Sequence, residues 1–320
     1  MYRFNAMDFT QKGIPLRAMS STPQGPDVPG TRIRKPDWLK VALGGGEVYA
    51  GVGHTIATHG LHTICSSGRC PNQGECWSNG TASFLILGDV CTRRCGFCAT
   101  KSGCPEAPDT HEPMRIARSV QLMGLKHAVI TSVDRDDLPD GGAALWASVI
   151  EQVRHHCPHI TLEALLPDFM GKGGALEHVL STKPDIVAHN METVERLTPS
   201  VRSKARYDYS LGVIERMAGA GLRAKSGLML GLGEEWDEIV QTMRDLVSVG
   251  CKILTVGQYL QPSRRHLPVR RYYSPDEFAE LADVARSMGF LYVESGPLVR
   301  SSFHAENALK ACGLGNVQDK

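Results

Sequence analysis

Short apolar runs alternate with longer amphipathic stretches along the chain from about residue 83. The runs are apolar almost throughout, which is typical of strands buried on both faces of a parallel sheet. They predict six strands: SFLILGDV (83–90), HAVITSV (127–133), ITLEALL (160–166), DIVAHNM (185–191), LMLGL (228–232) and ILTVGQYL (253–260).

The stretches between these runs carry apolar residues at helical spacing. In DEIVQTMRDLVSVG (237–250) the apolar positions share one face of a helix. A second helix begins at Ser274, which together with Pro275 and Glu277 gives an N-terminal capping pattern, and it ends at Gly289. The same spacing predicts helices near 112–123, 141–155, 173–181 and 207–219.

Strands that alternate with helices predict an α/β fold. Six units indicate a partial (β/α)6-type barrel, because a closed TIM barrel needs eight. Polar residues directly follow the strands, and catalytic residues of β/α barrels gather at that end. A doubly wound open sheet remains the alternative architecture. The polar residues in question are Cys91, Asp134, Asp136, Asn190 and Glu192.

Composition narrows the class of protein. The chain has 320 residues, 42% of them apolar and 22% charged, and a net charge of +1. This balance does not suggest a nucleic-acid partner, and no run reaches the roughly 20 apolar residues of a membrane span. No apolar signal-peptide core begins the sequence, so we expect a cytoplasmic protein. The first ~35 residues predict an irregular arm.

The cysteines are distributed unevenly. Six of the ten lie within residues 65–98, in two triplets, and the other four are scattered singly. In a cytoplasmic protein, clustered cysteines indicate metal binding or catalysis rather than disulfides.

The triplet in CTRRCGFC, with Cys91, Cys95 and Cys98, has the spacing C-x3-C-x2-C. Three thiolates can bind three irons of a 4Fe–4S cluster, whose usual complement is four. The triplet, with the aromatic Phe97 before its last cysteine, resembles the signature of the radical SAM superfamily. In that superfamily the fourth iron binds S-adenosylmethionine (SAM). A zinc knuckle is the alternative, although no further C-x2-4-C pair follows at a matching distance.

The second triplet, CSSGRCPNQGEC, holds Cys65, Cys70 and Cys76 at the spacing C-x4-C-x5-C. Together with the first triplet it resembles the lipoyl synthases. The resemblance continues in order through about residue 303, in the blocks RCPNQGECW, VITSVDRDDLPDGGA, HNMETVERL, KSGLMLGLGE, VGQYLQPS and GPLVRSSF.

The resemblance implies insertion of two sulfur atoms at C6 and C8 of an octanoyl chain carried on a protein lysine. It implies two 4Fe–4S clusters, one that binds SAM and one, the auxiliary cluster, that is consumed as the sulfur donor. The auxiliary cluster would be bound by the second triplet and by Ser302 of the Arg-Ser-Ser-Phe tail. Phe303 replaces the tyrosine that is usual in the family.

The resemblance also implies partners and site residues. The partners are octanoylated lipoyl carrier domains (2-oxoacid dehydrogenase subunits and the glycine cleavage H protein), a ferredoxin- or flavodoxin-type electron donor, and an iron–sulfur cluster assembly or repair protein. The candidate SAM contacts can also be ordinary loop residues that bond the backbone. They are Phe97, Thr131, Ser132, Asp134, Asn190, Glu192 and Lys225.

Three parts of the chain are expected: an N-terminal extension with the auxiliary cluster motif (1–82), a radical SAM partial barrel (83–296) and a C-terminal segment with the cluster-ligating serine (297–320). Two other functions remain open. One is a different radical SAM sulfur-inserting enzyme, of the biotin synthase kind, and the other is a non-enzymatic iron–sulfur or zinc protein.

Overall fold

The structure, a computed structural model, describes residues 34–41, 45–68, 70–78, 83–125, 127–303 and 305–313. Nearly all of the predicted N-terminal arm lies outside these residues. None of the helices within them has the length and apolar character that a membrane span requires.

One sheet of eight strands dominates the described residues, and its strand order follows the sequence, β1-β2-β5-β6-β7-β8-β9-β10. Strand β1 is antiparallel to β2, and every later neighbour is parallel. Strands β3 and β4 pair separately. The strands are β1 (His62–Thr63), β2 (Ser83–Ile86), β3 (Val90–Cys91), β4 (Lys101–Ser102), β5 (His127–Ser132), β6 (Thr161–Leu165), β7 (Ile186–Ala188), β8 (Arg223–Leu230), β9 (Ile253–Gln258) and β10 (Tyr292–Gly296).

The strand order confirms the partial barrel. A doubly wound sheet reverses its strand order at a switch point, and no reversal occurs here. The barrel is open, because β1 and β10 are the ends of the sheet and do not pair with each other. The strands differ in part from the sequence prediction. Strands β1, β3, β4 and β10 were not predicted as separate strands, and β8 begins at Arg223 rather than at residue 228.

The predicted helices are confirmed, including the capping box in which Ser274 and Glu277 bond each other's backbone amides. Further helices precede the barrel and follow β10. The helices are α1 (Glu47–Thr58), α2 (Ile64–Ser67), α3 (Gln73–Ser78), α4 (Glu112–Leu122), α5 (Ala143–His156), α6 (Ala175–Ser181), α7 (Thr198–Val201), α8 (Tyr207–Gly219), α9 (Trp236–Ser248), α10 (Pro275–Ser287) and α11 (Ala305–Ala311).

The N-terminal end of the barrel is closed by α11. Ala308 and Leu309 of this helix pack with Ile186 and Ile253, the first residues of β7 and β9. The guanidinium of Arg223 donates a hydrogen bond to the carbonyl oxygen of Cys312 at 3.1 Å. Helix α11 thus covers the end of the barrel opposite to the carboxyl ends of the strands, where the sequence predicts the site.

Candidate active site

The first cysteine triplet lies on a loop that follows β2. Cys91 ends β3, which pairs with β4, and this pairing closes the loop that carries Cys95 and Cys98. The amide and hydroxyl of Thr92 both donate to the carbonyl oxygen of Asp134, at 3.0 and 2.9 Å. The loop is thus attached to the end of the neighbouring strand β5.

Arg93, inside the cysteine motif, fixes the position of the cysteine loop. Its buried guanidinium donates paired hydrogen bonds to Asp136, at 3.0 and 2.9 Å, and to Asp168, at 3.0 and 2.5 Å. Although burial raises the pKa of Asp168, the hydrogen bonds from Arg93 lower it below its usual value. Buried, charge-assisted pairs of this kind fix a loop in one geometry.

A cavity of about 650 Å³ lies at the carboxyl ends of the strands, within the roughly 300–1,000 Å³ typical of ligand sites. Thiols of both triplets line it: Cys91, Cys95 and Cys98 from the first, and Cys65 and Cys70 from the second. The structure therefore brings together two motifs that are separate in sequence.

Six of the seven predicted SAM contacts also line this cavity. Ser132 is turned partly outwards, because its hydroxyl accepts a hydrogen bond from the indole N–H of Trp146 at 3.1 Å. Asn190 donates to Glu192 at 3.1 Å, and burial raises the pKa of Glu192. The six are Phe97, Thr131, Ser132, Asp134, Asn190 and Glu192.

Lys225 is the predicted contact that does not line the cavity. Its ammonium donates to both carboxylate oxygens of Glu163, at 2.7 and 2.9 Å. Both side chains are closed off from solvent, with exposures of 1% and 0%. The pair fills the barrel interior instead of facing the cysteines.

The second triplet adjoins the C-terminal tail. A small void of about 10 Å³ is lined by Cys65, Cys70 and Cys76 together with Ser302. Asn72 lies between Cys70 and Cys76. Its side-chain amide donates to the carbonyl oxygen of Leu298 at 2.7 Å and so joins the second triplet to the C-terminal tail.

The tail runs close to the barrel because β9 carries a glycine there. A Cβ atom at Gly257 would collide with the carbonyl oxygen of Val299. Ser301 and Ser302 then point to different neighbours. Ser301 donates to Asn190 at 3.2 Å, and Ser302 accepts from the hydroxyl of Ser83 at 2.9 Å.

Three of the thiols, those of Cys70, Cys91 and Cys98, lie in an environment that disfavours a bare thiolate. Burial raises the pKa of the Cys91 thiol to about 12, with a further rise from the nearby Asp134. Burial also raises the pKa values of Cys70 and Cys98. Thiolates here need a positive partner, and a coordinated metal deprotonates a thiol outright.

The donor set fits a 4Fe–4S cluster. Each thiolate of such a cluster binds a different iron, so three cysteines around a shared space are the expected arrangement. The three cysteines of the first triplet line the large cavity, and Cys65 and Cys70 of the second triplet line it as well. Within the described residues, no three His, Cys, Asp or Glu side chains converge as ligands of one metal ion.

Sequence reasoning missed three arginines that line the cavity. Arg93, Arg202 and Arg300 all contribute to its wall. Arg202 is buried, and it donates to Ser210 at 2.8 Å and to the carbonyl oxygen of Met191 at 3.3 Å. Arg93 and Arg300 belong to motifs that the sequence analysis singled out, but their place at the cavity wall follows only from the fold.

The fold and the site define the class as radical SAM enzymes. The sequence profile of the radical SAM superfamily matches residues 85–246. Methylornithine synthase superposes with a TM-score of 0.50 at 10% identity, over 86% of this chain and 95% of its own. Streptococcus suis SuiB superposes with a TM-score of 0.53 at 12% identity, over 77% of this chain and 52% of its own. At these identities the superpositions bear on the fold alone.

Closer relatives define the family. Lipoyl synthase of Phocaeicola vulgatus is 54% identical over 281 residues, 88% of this chain and 99% of its own length. Lipoyl synthase of Treponema denticola is 52% identical over 273 residues, 85% of this chain and 94% of its own. The chain belongs to the lipoyl synthase family, whose members insert sulfur into a protein-bound octanoyl chain. Membership implies a 4Fe–4S cluster, SAM and a protein substrate, and it disfavours the biotin synthase-like and non-enzymatic alternatives.

Proposed function

We propose that this chain inserts two sulfur atoms at C6 and C8 of an octanoyl-lysyl chain by using two 4Fe–4S clusters that face one cavity. The observation that carries the proposal is that thiols of both triplets line the same space. A carbon radical and the sulfide that captures it have to meet at the same carbon atom. A shared cavity satisfies this requirement without release of an intermediate.

Cys91, Cys95 and Cys98 would hold one cluster, and Cys65, Cys70, Cys76 and Ser302 the other. When bound, the first cluster and SAM supply a radical that removes hydrogen from an unactivated C–H bond, and the second cluster supplies sulfur. We also propose that the chain has three functional parts: the extension 1–82 with the second triplet, the barrel 83–296 and the C-terminal segment 297–320 with Ser302.

The protein's own residues would bind and orient the two organic molecules. Arg202 is a buried cation at the cavity wall and suits the carboxylate of SAM. Asp134 and Glu192 offer acceptors to its amino group. The apolar side chains of Leu85 and Val129, inside the barrel, suit an eight-carbon chain and keep water from the reacting carbons.

The finer partners are also proposals. We propose that the octanoyl group arrives on 2-oxoacid dehydrogenase subunits or the glycine cleavage H protein. We also propose a ferredoxin- or flavodoxin-type reductant and a repair protein that rebuilds the consumed cluster. A cytoplasmic location follows if the thiols have to stay reduced, and all ten cysteines are free of disulfides.

An anaerobic assay tests the function. The reconstituted enzyme receives SAM, dithionite and an octanoyl-lysyl peptide, and mass spectrometry follows the peptide. We expect addition of two sulfur atoms together with 5′-deoxyadenosine. A hexanoyl-lysyl peptide, which has no C8, is the matched control and should gain no second sulfur. Unchanged octanoyl peptide alongside SAM cleavage would contradict the proposal.

A further inference from the structure

Two loops meet beside the first cysteine triplet. One is the cysteine loop itself, and the other is the segment 261–271 that follows β9. The amide of Leu267 donates to the carbonyl oxygen of Gly96 at 3.0 Å. Contact is close enough that a Cβ atom at Gly96 would lie 2.9 Å from the Leu267 side chain. A larger residue at Gly96 would have to displace the Leu267 side chain.

His266 adds a second link to a proposed cluster ligand. Its Nε2 lies 2.9 Å from the carbonyl oxygen of Cys98, and its Nδ1 lies 2.9 Å from the hydroxyl of Ser263. A carbonyl oxygen can only accept, so Nε2 carries the proton. The short turn that begins at Ser263 is therefore held directly against the cysteine loop.

Four exposed arginines stand on these two loops: Arg94 on the first, and Arg264, Arg265 and Arg270 on the second. We call three of them the arginine patch: Arg94, which precedes Cys95, and Arg264 and Arg265, which precede His266. Among the described residues none of the three side chains has a hydrogen-bond or ion-pair partner. Other exposed arginines, such as Arg196 and Arg206, pair with Glu238 and Asp208. Arg118 and Arg244 have no such partner among the described residues, but each is the only exposed arginine on its own helix, whereas the patch arginines lie on two loops in contact. With a net charge of only +1, the chain carries no general surplus of positive charge to explain the patch.

The patch lies next to the solvent-facing side of the cysteine site. Cys95 follows Arg94 directly, and its sulfur lies 3.8 Å from the hydroxyl of Ser203 in an exposed setting. A protein docked on the patch would therefore lie next to Cys95. The octanoyl group, in contrast, is carried on a long lysine arm, so its carrier domain does not need to sit this close to the cysteines.

We propose that the arginine patch is the docking surface of a small acidic electron-transfer protein. The proposal rests on the proposed function, because it needs a cluster at Cys91, Cys95 and Cys98. The docked protein is oxidised by one electron and the cluster is reduced by one, with no proton or further reactant. A patch of one charge steers a partner of the opposite charge and accelerates its association.

The test uses an acidic flavodoxin and measures its binding to the full chain. Arg264→Glu with Arg265→Glu reverses the charge of two patch residues. Arg264→Lys with Arg265→Lys keeps the positive charge at both positions. Arg118→Glu with Arg244→Glu is the control, because these exposed arginines lie on the second halves of α4 and α9, away from the strand ends. We expect the Kd to rise about tenfold in the patch reversal only, and wild-type binding to weaken with salt.

A kinetic arm separates docking from chemistry. With reduced flavodoxin, formation of 5′-deoxyadenosine should fall in the patch reversal by about the same factor as the affinity. With dithionite it should stay at the wild-type rate. Unchanged flavodoxin binding, or equal losses with both reductants, would overturn the proposal. A higher KM for an octanoylated carrier with normal flavodoxin binding would also overturn it. Failure of the wild-type enzyme with dithionite would instead count against the proposed function.

Discussion

Ser83 donates a hydrogen bond to the side-chain oxygen of Ser302 at 2.9 Å, although the two residues are 219 positions apart. The bond joins the first residue of β2 to the C-terminal tail. It also separates the two serines of the tail, because Ser301 bonds Asn190 at the cavity wall instead. Ser302 therefore lies on the side of the second triplet, and Ser301 on the side of the predicted SAM contacts.

This difference predicts distinct effects of alanine substitutions. Ser302→Ala should leave SAM cleavage intact and impair sulfur insertion, because it removes the proposed fourth ligand of the auxiliary cluster. Ser301→Ala should be milder, since it loses one hydrogen bond. The yields of 5′-deoxyadenosine and lipoyl product would be measured for both. Ser83→Ala is the matched control, because it removes the same contact but not the ligand. Wild-type product from Ser302→Ala would remove that serine from the site.

Arg93→Lys should weaken the first cluster alone. Lysine keeps the charge but cannot span the two carboxylates of Asp136 and Asp168 that the guanidinium joins. We expect about four irons per chain after reconstitution in place of about eight, because the cysteine loop loses its anchor while the second triplet is unaffected. Arg94→Lys, at the exposed neighbouring position, should bind iron normally. Full iron content in Arg93→Lys would show that the anchor is dispensable.

Lys225→Met should destabilise the protein by about 3–5 kcal/mol, because it leaves a buried carboxylate at Glu163 without a partner. Adding Glu163→Leu should recover most of this loss, since a buried ion pair can often be replaced by apolar residues. Urea unfolding measures both effects. The double variant also tests the sequence prediction that Lys225 contacts SAM. A stable double variant with wild-type SAM affinity would exclude that contact, and a selective loss of affinity would support it.

Acid should destabilise the barrel through His127. Burial, with a contribution from the positive Lys225, lowers the pKa of His127 to about 3. Its Nδ1 lies 2.9 Å from the hydroxyl of Thr161, and its Nε2 has no partner among the described residues. The unfolded chain takes up this proton near the ordinary histidine pKa of about 6.5, whereas the folded chain does not. The contribution of the neutral His127 to the free energy of unfolding is therefore fully present above pH ~6.5 and is lost as the pH falls towards 3.

Denaturant unfolding between pH 7 and pH 4 would measure this dependence. His127→Leu should make the fall in stability shallower by about one proton, because it removes the buried imidazole. Comparing slopes between variants removes contributions that are common to both, such as acid loss of iron. Identical slopes for wild type and His127→Leu would contradict the buried, neutral histidine.

The sequence predicted six strands from their apolar runs, but it placed the start of β8 too late, where polar residues interrupt the run. Strand β8 begins with Arg223, and its Lys225 and Ser226 interrupt the apolar run, yet both are buried. Lys225 is buried because Glu163, from a strand 62 positions away, neutralises it. A hydrophobic pattern cannot indicate such a pairing, which exists only after the strands come together.

The residues of the site were likewise predictable only where the signal lies in local sequence. Cysteine spacing is a local signal, so both triplets could be found in the sequence. Arg93 is also part of the first motif, but its carboxylate partners lie 43 and 75 positions further along the chain. The separation of Ser301 from Ser302 depends on a tail that approaches β9 at Gly257, which local sequence does not reveal.

The two triplets should fail in different ways when they are mutated. Replacing Cys91, Cys95 or Cys98 by Ala should abolish both 5′-deoxyadenosine and product, because SAM then has no iron to bind. Replacing Cys65, Cys70 or Cys76 by Ala should spare appreciable SAM cleavage while no sulfur reaches the octanoyl chain. Cys104→Ala is the matched control, since this thiol is exposed and lies outside both triplets.

Isotopic labelling sharpens this last prediction. Enzyme whose clusters are rebuilt with heavy sulfide should pass heavy sulfur to both C6 and C8. Without repair, each chain should form no more than about one product, because the donor cluster is consumed in delivering the two atoms. Light sulfur in the product, or sustained turnover without added sulfide and iron, would refute the donor role of Cys65, Cys70 and Cys76. The assignment of SAM to the other triplet would survive either result, because it depends on 5′-deoxyadenosine alone.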